Sequence, residues 1–121
     1  MSYDNDLFQR ISTLLTSTKG IVPKKMFGGI CFMHKGNMLC GIDGRRLMVR
    51  VGPLQYDRAL LLKHATVMDI TGKAMKGFIF VSEDGYRNDK SLRKWLELGL
   101  NFTTTLAPKG TAKKNPRYKK Q

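Results

Sequence analysis

The chain has 121 residues, which is the size of one domain and too short for two independent cores joined by a linker. Hydrophobic residues make up 41% and charged residues 26%, values that exclude a collagen-like chain, a coiled coil and a wholly disordered protein. The formal net charge of +13 favours an anionic partner and argues against a cationic one.

The N-terminal segment is polar and acidic, unlike a signal or transit peptide, because Asp4 and Asp6 precede the first apolar residues. The longest apolar runs, at residues 59–62 and 78–81, have four residues each, against about 20 in a membrane-spanning helix. We therefore expect a cytoplasmic protein without a membrane partner.

The first predicted element is an amphipathic helix near the N-terminus. Its apolar residues recur at the spacing of one helical face, at Leu7, Phe8, Ile11, Leu14 and Leu15. Ser2 or Asp4 is its expected N-cap, and Gly20 follows its last turn.

From residue 24 to residue 51 the helical period gives way to short apolar segments separated by glycine-containing turns. We interpret these segments as three consecutive antiparallel strands. A two-residue Asp43-Gly44 loop between the last two strands predicts that Cys40 pairs with Leu47.

The preceding loop decides which side chains share a face of the sheet. A Lys35-Gly36 loop pairs Met33 with Met38 and Cys31 with Cys40, whereas a loop one residue later shifts the first strand. With the Lys35-Gly36 loop, the predicted core face carries Cys31, Met33, Met38, Cys40, Leu47, Val49 and Val51. The opposite face carries a mixed apolar and basic set, namely Phe32, His34, Leu39, Arg46, Met48 and Arg50.

Two helices and two further strands complete the predicted order. Pro53 begins a second helix that extends to about Leu62, and residues 67–70 and 76–81 are predicted strands. A third helix has Asn88 or Asp89 as its N-cap. Its apolar stripe consists of Leu92, Trp95, Leu96 and Gly99. The resulting order, α-β-β-β-α-β-β-α, belongs to the α+β class.

The composition changes after residue 106. Residues 107–121 contain two prolines, no acid and six cations, namely Lys109, Lys113, Lys114, Arg117, Lys119 and Lys120. We predict a folded domain over residues 1–106 and a disordered basic tail over residues 107–121. The tail either contacts nucleic acid by electrostatic attraction or serves to increase solubility.

The sequence contains no recognisable catalytic or metal-binding constellation. His34 and His64 are the only histidines, and neither stands at ligand spacing from a cysteine or from the other. The G-x-S-x-G, Walker and G-x-G-x-x-G motifs are missing, and the acidic residues are scattered. We expect no enzymatic activity, no metal and no cofactor. Cys31 and Cys40 lie in apolar strands and are predicted to be reduced, buried packing residues.

Several short strings follow one another along the chain: Lys25-Met26-Phe27-Gly28-Gly29, Gly36-Asn37-Met38, Leu47-Met48-Val49-Arg50-Val51-Gly52, Met68-Asp69-Ile70-Thr71-Gly72, Met75-Lys76-Gly77-Phe78, and Leu92 to Trp95 followed by Gly99-Leu100. Over residues 8–108 this ordered series resembles the N-terminal domain of the TfoX/Sxy family. The resemblance implies a two-layer fold with helices on one face of an antiparallel sheet, related to secretion-chaperone-like folds.

Family members of known role are bacterial regulators of competence genes, which assist the cyclic-AMP receptor protein at certain promoters. The resemblance therefore implies a role in transcription regulation, and it transfers no catalytic residue. The two-domain regulators have a further helical C-terminal domain, in whose place this sequence has the short basic segment, so we expect a stand-alone domain.

We accordingly expect a non-enzymatic regulatory module that binds a protein partner, such as a transcription regulator, at DNA. Phe32, Leu39 and Met48 are its predicted partner interface, through which a homodimer is also expected. The predicted nucleic-acid contacts are Arg45, Arg46, Arg50 and the six cations of the tail. The alternative is a small protein-binding adaptor with no nucleic-acid role.

Overall fold

The structure, a computed structural model, describes residues 3–26, 28–69 and 72–109. Its helices are α1 (Asn5–Leu14), α2 (Tyr56–Leu60) and α3 (Asp89–Thr103). Its strands are β1 (Ile21–Met26), β2 (Gly29–His34), β3 (Asn37–Asp43), β4 (Arg46–Arg50), β5 (Ala65–Asp69) and β6 (Ala74–Val81). A short 3₁₀ turn, Glu83–Tyr86, precedes α3.

Side-chain caps begin the two longer helices. The carboxylate of Asp4 accepts hydrogen bonds from two backbone N–H groups of the first turn of α1, at 2.9 and 3.3 Å. The side-chain oxygen of Asn88 accepts a 2.8 Å hydrogen bond from the backbone N–H of Ser91. Each bond satisfies a donor that has no partner within its helix. The predicted caps Asp4 and Asn88 are therefore confirmed, whereas Ser2 lies outside the described residues.

The six strands form one antiparallel sheet in the order β1-β2-β3-β4-β6-β5. The α+β class and the two-layer arrangement are confirmed. Residues 21–50 contain four strands where three were expected, because the chain reverses at Gly28, which has a φ of 77°, and β1 then pairs with β2. Strand β6 enters the sheet between β4 and β5, so that β5 forms an edge.

The turn between β2 and β3 agrees with one of the two predicted loops. Lys35 and Gly36 have φ angles of 52° and 85°, and Met33 pairs with Met38. The register then shifts at a β-bulge between Phe32 and Met33. Beyond the bulge Cys31 pairs with Gly41 instead of Cys40. Because a shift of one residue moves a side chain to the other face, the faces predicted for β2, Met38 and Leu39 are all reversed.

The pairing of β3 with β4 differs from the prediction by two residues. Ile42 pairs with Leu47 and Cys40 pairs with Val49, so Cys40 does not pair with Leu47 as expected. A shift of two residues preserves the face of each side chain, since strand side chains alternate with a period of two. Cys40, Leu47 and Val49 therefore do lie on the helix-covered face, as predicted.

The main core lies between the sheet and the described helices. Each helix contributes two or more buried side chains to it: Leu7 and Ile11 from α1, Tyr56 and Ala59 from α2, and Leu92, Trp95 and Leu96 from α3. Helix α3 crosses β3 and β4. Among the helices of the described ranges, none has the length and apolar character needed to cross a membrane.

Candidate functional site

The sheet face opposite the main core carries a second apolar cluster that is rich in methionine. Six of the seven methionines of the chain belong to it: Met26, Met33, Met38, Met48, Met68 and Met75. Cys31, Phe78 and Phe80 complete the cluster. We call this surface the methionine face.

Strand register explains how these side chains come together. Cys31 pairs with Gly41, Gly41 with Met48, and Met48 with Phe80, so one row crosses four strands on the same face. A Cβ atom added at Gly41 would lie 2.5 Å from Cε of Met48 and 3.0 Å from Sγ of Cys31. The side chains of Met48 and Cys31 therefore occupy the space that Gly41 leaves open.

The methionine face has a closed centre and a partly exposed border. The central side chains are at most 2% exposed, namely Cys31, Met48, Met68 and Phe80. The border side chains are partly buried, namely Met26, Met33, Met38, Met75 and Phe78. Apolar side chains thus reach solvent around a well-packed centre.

Two arginines of β4 extend along aromatic rings of this face. The guanidinium of Arg46 lies 3.9 Å from the ring centroid of Phe80 and forms a 2.7 Å ion pair with Asp43. The guanidinium of Arg50 lies 5.4 Å from the ring centroid of Phe78 and 5.3 Å from that of Phe102. All three distances are within the range of cation–π attraction. The methionine face therefore combines thioether, aromatic and guanidinium groups.

The other predicted nucleic-acid contacts either lie away from the methionine face or fall outside the described residues. Arg45 is in the turn between β3 and β4, where its side chain is 76% exposed and 3.9 Å from Glu83. Lys109 is exposed, and its backbone N–H donates a 2.7 Å hydrogen bond to the carbonyl of Lys35. The remaining tail cations lie outside the described residues: Lys113, Lys114, Arg117, Lys119 and Lys120.

The structure does not bring the predicted partner-interface residues together. Phe32 and Leu39 are 1% and 0% exposed and belong to the main core, whereas Met48 belongs to the methionine face and is 1% exposed. The bulge in the β2–β3 pairing causes this difference, because it reverses the faces predicted for β2 and for Leu39. Phe32 stacks on Phe8 of α1, with ring centroids 5.4 Å apart, and Leu39 lies against Gly99 of α3. The same shift places Cys31, Met33 and Met38 on the methionine face, although they were expected in the helix-covered core.

The two cysteines are free and buried, as predicted, but they lie on opposite faces of the sheet. Burial raises the pKa of the Cys31 thiol to about 11. Burial also raises the pKa of Cys40, and the neighbouring Cys31 adds to that shift. Both groups are therefore protonated at neutral pH and are poor nucleophiles.

His34 is buried at 4% exposure, with its Nδ1 2.8 Å from Oγ1 of Thr103 in α3. Burial lowers the pKa of His34, and the charge of Lys35 lowers it further. Within the described ranges, no three His, Cys, Asp or Glu side chains form a group suited to hold a metal ion.

Sequence reasoning missed most of the methionine face, including Met68, Met75, Phe78 and Phe80. Their alternation with polar or helix-facing residues is typical of a strand, but it does not indicate which strand is their neighbour. That information comes from the position of β6 beside β4.

Comparison with known families supports the resemblance seen in the sequence. The model of the TfoX N-terminal domain family matches residues 13–103, a range that contains all six strands and the whole of α3. No curated protein and no solved structure gives a significant match to the chain.

Proposed function

The chain belongs to the TfoX N-terminal domain family, and from this premise we propose that it is a non-enzymatic bacterial regulatory module that binds a protein partner in the cytoplasm. Its role is transcription regulation of the kind carried out by the TfoX/Sxy competence regulators. The methionine face is the surface that contacts the partner.

The composition of the methionine face is the observation that carries this proposal. Methionine side chains are flexible and polarizable, and they are favoured on protein-binding surfaces that adapt to a partner. Methionine, phenylalanine and arginine are also enriched in protein interfaces. A border of partly exposed methionines beside Arg46 and Arg50 combines all three residue types on one sheet face.

The nucleic-acid component of the proposal depends on charge. Arg46 and Arg50 place positive charge next to the methionine face, and the basic segment beyond residue 106 adds six cations. Such charges attract phosphates without reading base sequence. In this proposal the module holds its protein partner near DNA, whereas the adaptor alternative needs only the methionine face.

Affinity capture from a native bacterial lysate tests the contact surface. The bait is the full chain as wild type, as Met38→Glu on the border of the methionine face, or as Gln9→Glu on the exposed side of α1. Each variant adds one negative charge, but only Met38→Glu buries it in the proposed interface, where an unpaired carboxylate is costly. Each capture is run with and without nuclease.

We expect wild type and Gln9→Glu to retain the same protein after nuclease treatment, and Met38→Glu to lose it. Equal capture by Met38→Glu would contradict the assignment of the methionine face. Capture that disappears with nuclease would show that nucleic acid bridges the two proteins. Thermal unfolding of each bait shows that the variants remain folded.

A further inference from the structure

A second candidate surface lies in the helical layer, between α2 and α3. Two cavities of about 260 and 440 Å³ are present there, and Leu98 of α3 lines both of them. Leu62 and Trp95 also line the smaller cavity, and Leu54 and Phe102 also line the larger one. We call this pair of cavities the α2–α3 groove.

Exposed leucines lie in and next to the segment that lines the α2–α3 groove, where Leu54 and Leu62 are lining residues and Leu61 precedes Leu62 in the sequence. Leu54, Leu61 and Leu62 are 94%, 86% and 45% exposed. One exposed leucine is ordinary, but three within residues 54–62, next to apolar cavities, form a patch typical of interaction sites. Helix α2 directs Tyr56 and Ala59 into the core, so packing of the monomer does not require these leucines.

The smaller cavity is also cationic. Lys63, His64 and Lys94 line it, and neither lysine takes part in an ion pair with any residue that the structure describes. The pKa of the nearby Asp84 is held below its usual range chiefly by its hydrogen bond from Arg87, with contributions from His64 and Lys63. Asp84 forms its ion pair with Arg87, and since neither Lys63 nor Lys94 has an ion-pair partner among the described residues, both can pair with an acidic ligand.

We propose that the α2–α3 groove binds an acidic amphipathic helix of a protein partner, with apolar side chains in the two cavities and a carboxylate against Lys63 and Lys94. Helices of this kind bind grooves through apolar anchors at i, i+3, i+4 and i+7. A purely apolar helix would remove water from Lys63 and Lys94 without supplying a carboxylate, and this loss of hydration would weaken binding. Opposite charge at one end of the groove also sets the direction of the helix.

The lining of the larger cavity argues against nucleic acid as the occupant. Its residues are apolar or uncharged: Val51, Pro53, Leu54, Gln55, Leu98, Asn101, Phe102 and Thr105. A phosphate backbone needs cations along its whole path, and the larger cavity offers none in its lining. This surface is separate from the methionine face, so the inference goes beyond the function proposed above.

Trp95 provides a direct readout, because it is the only tryptophan of the chain and lines the smaller cavity. The probe is an acetylated peptide of about 15 residues, with Leu at helical i, i+3, i+4 and i+7 positions and Glu and Ala between them. A matched peptide has Lys in place of each Glu. We expect a saturable change in Trp95 fluorescence with the Glu peptide and none with the Lys peptide.

Two charge-reversal variants separate the groove from the general basicity of the chain. Lys63→Glu with Lys94→Glu should weaken binding of the Glu peptide by about tenfold or more, since two attractions become two repulsions. Lys24→Glu with Lys25→Glu makes the same change in net charge on β1, at the other edge of the sheet, and should leave binding within about twofold. All four side chains are on exposed residues, so both variants should remain folded.

Leu54→Asp gives an independent check, since Leu54 lines the larger cavity and is 94% exposed. It should weaken binding of the Glu peptide without lowering the melting temperature. Equal responses to the two peptides, or equal binding after both lysine reversals, would overturn the proposal. So would a Trp95 response to duplex DNA instead of peptide, or a concentration-dependent response of the protein alone, which would indicate a second copy.

Discussion

The guanidinium of Arg46 lies 3.9 Å from the ring centroid of Phe80, so that a half-exposed cation covers an aromatic side chain that is only 2% exposed. We expect Arg46→Ala to lower the free energy of unfolding by about 0.5–1 kcal/mol through loss of this contact. The matched change Arg45→Ala, in the adjacent turn, should alter it by less than about 0.5 kcal/mol. Urea unfolding measures both values.

A double-mutant cycle isolates the contact itself. Phe80→Leu keeps an apolar side chain but removes the π system, so Arg46→Ala should cost less in that background than in the wild type. An equal cost in both backgrounds would contradict a cation–π contribution.

The stability of the protein should depend on pH through His34. Its pKa is lowered in the folded protein by burial, and further by Lys35, so the unfolded chain binds a proton at higher pH than the folded chain does. The free energy of unfolding should therefore decrease as pH falls below about 6.5, the ordinary pKa of histidine. The decrease that His34 causes should be complete once the pH is below its folded-state pKa. Chemical denaturation of wild type and His34→Gln at several pH values measures it.

The His34→Gln variant should be less dependent on pH in that window, because it lacks the titrating ring. The free energy of unfolding of each protein at pH 8 serves as its reference, since His34 of the wild type is then neutral in both the folded and the unfolded state. If the free energy of unfolding of His34→Gln changed with pH as steeply as that of the wild type, the pH dependence would belong to titratable groups other than His34.

Both cysteines should resist thiol reagents in the folded protein. Burial raises the pKa of Cys31 to about 11 and also raises that of Cys40, which suppresses the reactive thiolate. Ellman's reagent at pH 8 should react with both thiols in denaturant and with neither, over the same period, in native buffer. The double variant Cys31→Ala, Cys40→Val should still bind a protein partner; loss of binding in a stably folded double variant would revive a chemical role.

Binding to a DNA duplex should be weak, independent of sequence and strongly dependent on salt. The logarithm of the affinity should fall with the logarithm of salt concentration with a slope of about −0.9 per phosphate contacted. Truncation after Lys109 is the appropriate variant, because Asn37 donates a 2.9 Å hydrogen bond to the carbonyl of Ala107 and Lys109 donates one to Lys35. We expect the truncation to flatten the slope.

Reversal of Arg45, Arg46 and Arg50 to Glu is the complementary test. If the folded domain makes the contacts, these reversals abolish binding and the truncation changes little. Fluorescence anisotropy of labelled duplex, measured at several salt concentrations, distinguishes contacts made by the basic tail from contacts made by the folded domain. Failure of the intact chain to bind a duplex at low salt would favour the adaptor alternative.

The expected homodimer should use the methionine face, because this face presents partly exposed apolar side chains. We expect sedimentation to show a dimer that Met38→Glu dissociates and Gln9→Glu does not. A monomer at high concentration for all three proteins would contradict self-association.

Local sequence determined the existence of the three helices and the starts of α1 and α3, whereas α2 is Tyr56–Leu60 and not Pro53 to about Leu62 as predicted. The apolar spacing in α1 and α3 and the caps Asp4 and Asn88 involve residues at most a few positions apart, so they are visible in the sequence. The Lys35-Gly36 turn was one of two loops that the sequence allowed, since a two-residue hairpin loop depends on its own backbone preferences, and the structure selects it.

Only the tertiary structure decided the faces of β2, Met38 and Leu39 and both candidate surfaces, whereas the faces of Cys40, Leu47 and Val49 were predicted from the sequence. The bulge next to Met33 moves Leu39 under α3, where an added Cβ at Gly99 would lie 2.8 Å from Cδ1 of Leu39. Such a bulge reflects packing between residues about 60 positions apart, whereas propensity and periodicity describe near neighbours. The methionine face requires β6 to pair with β4, and the α2–α3 groove requires Leu62 and Leu98 to approach, so neither surface exists until the chain has folded.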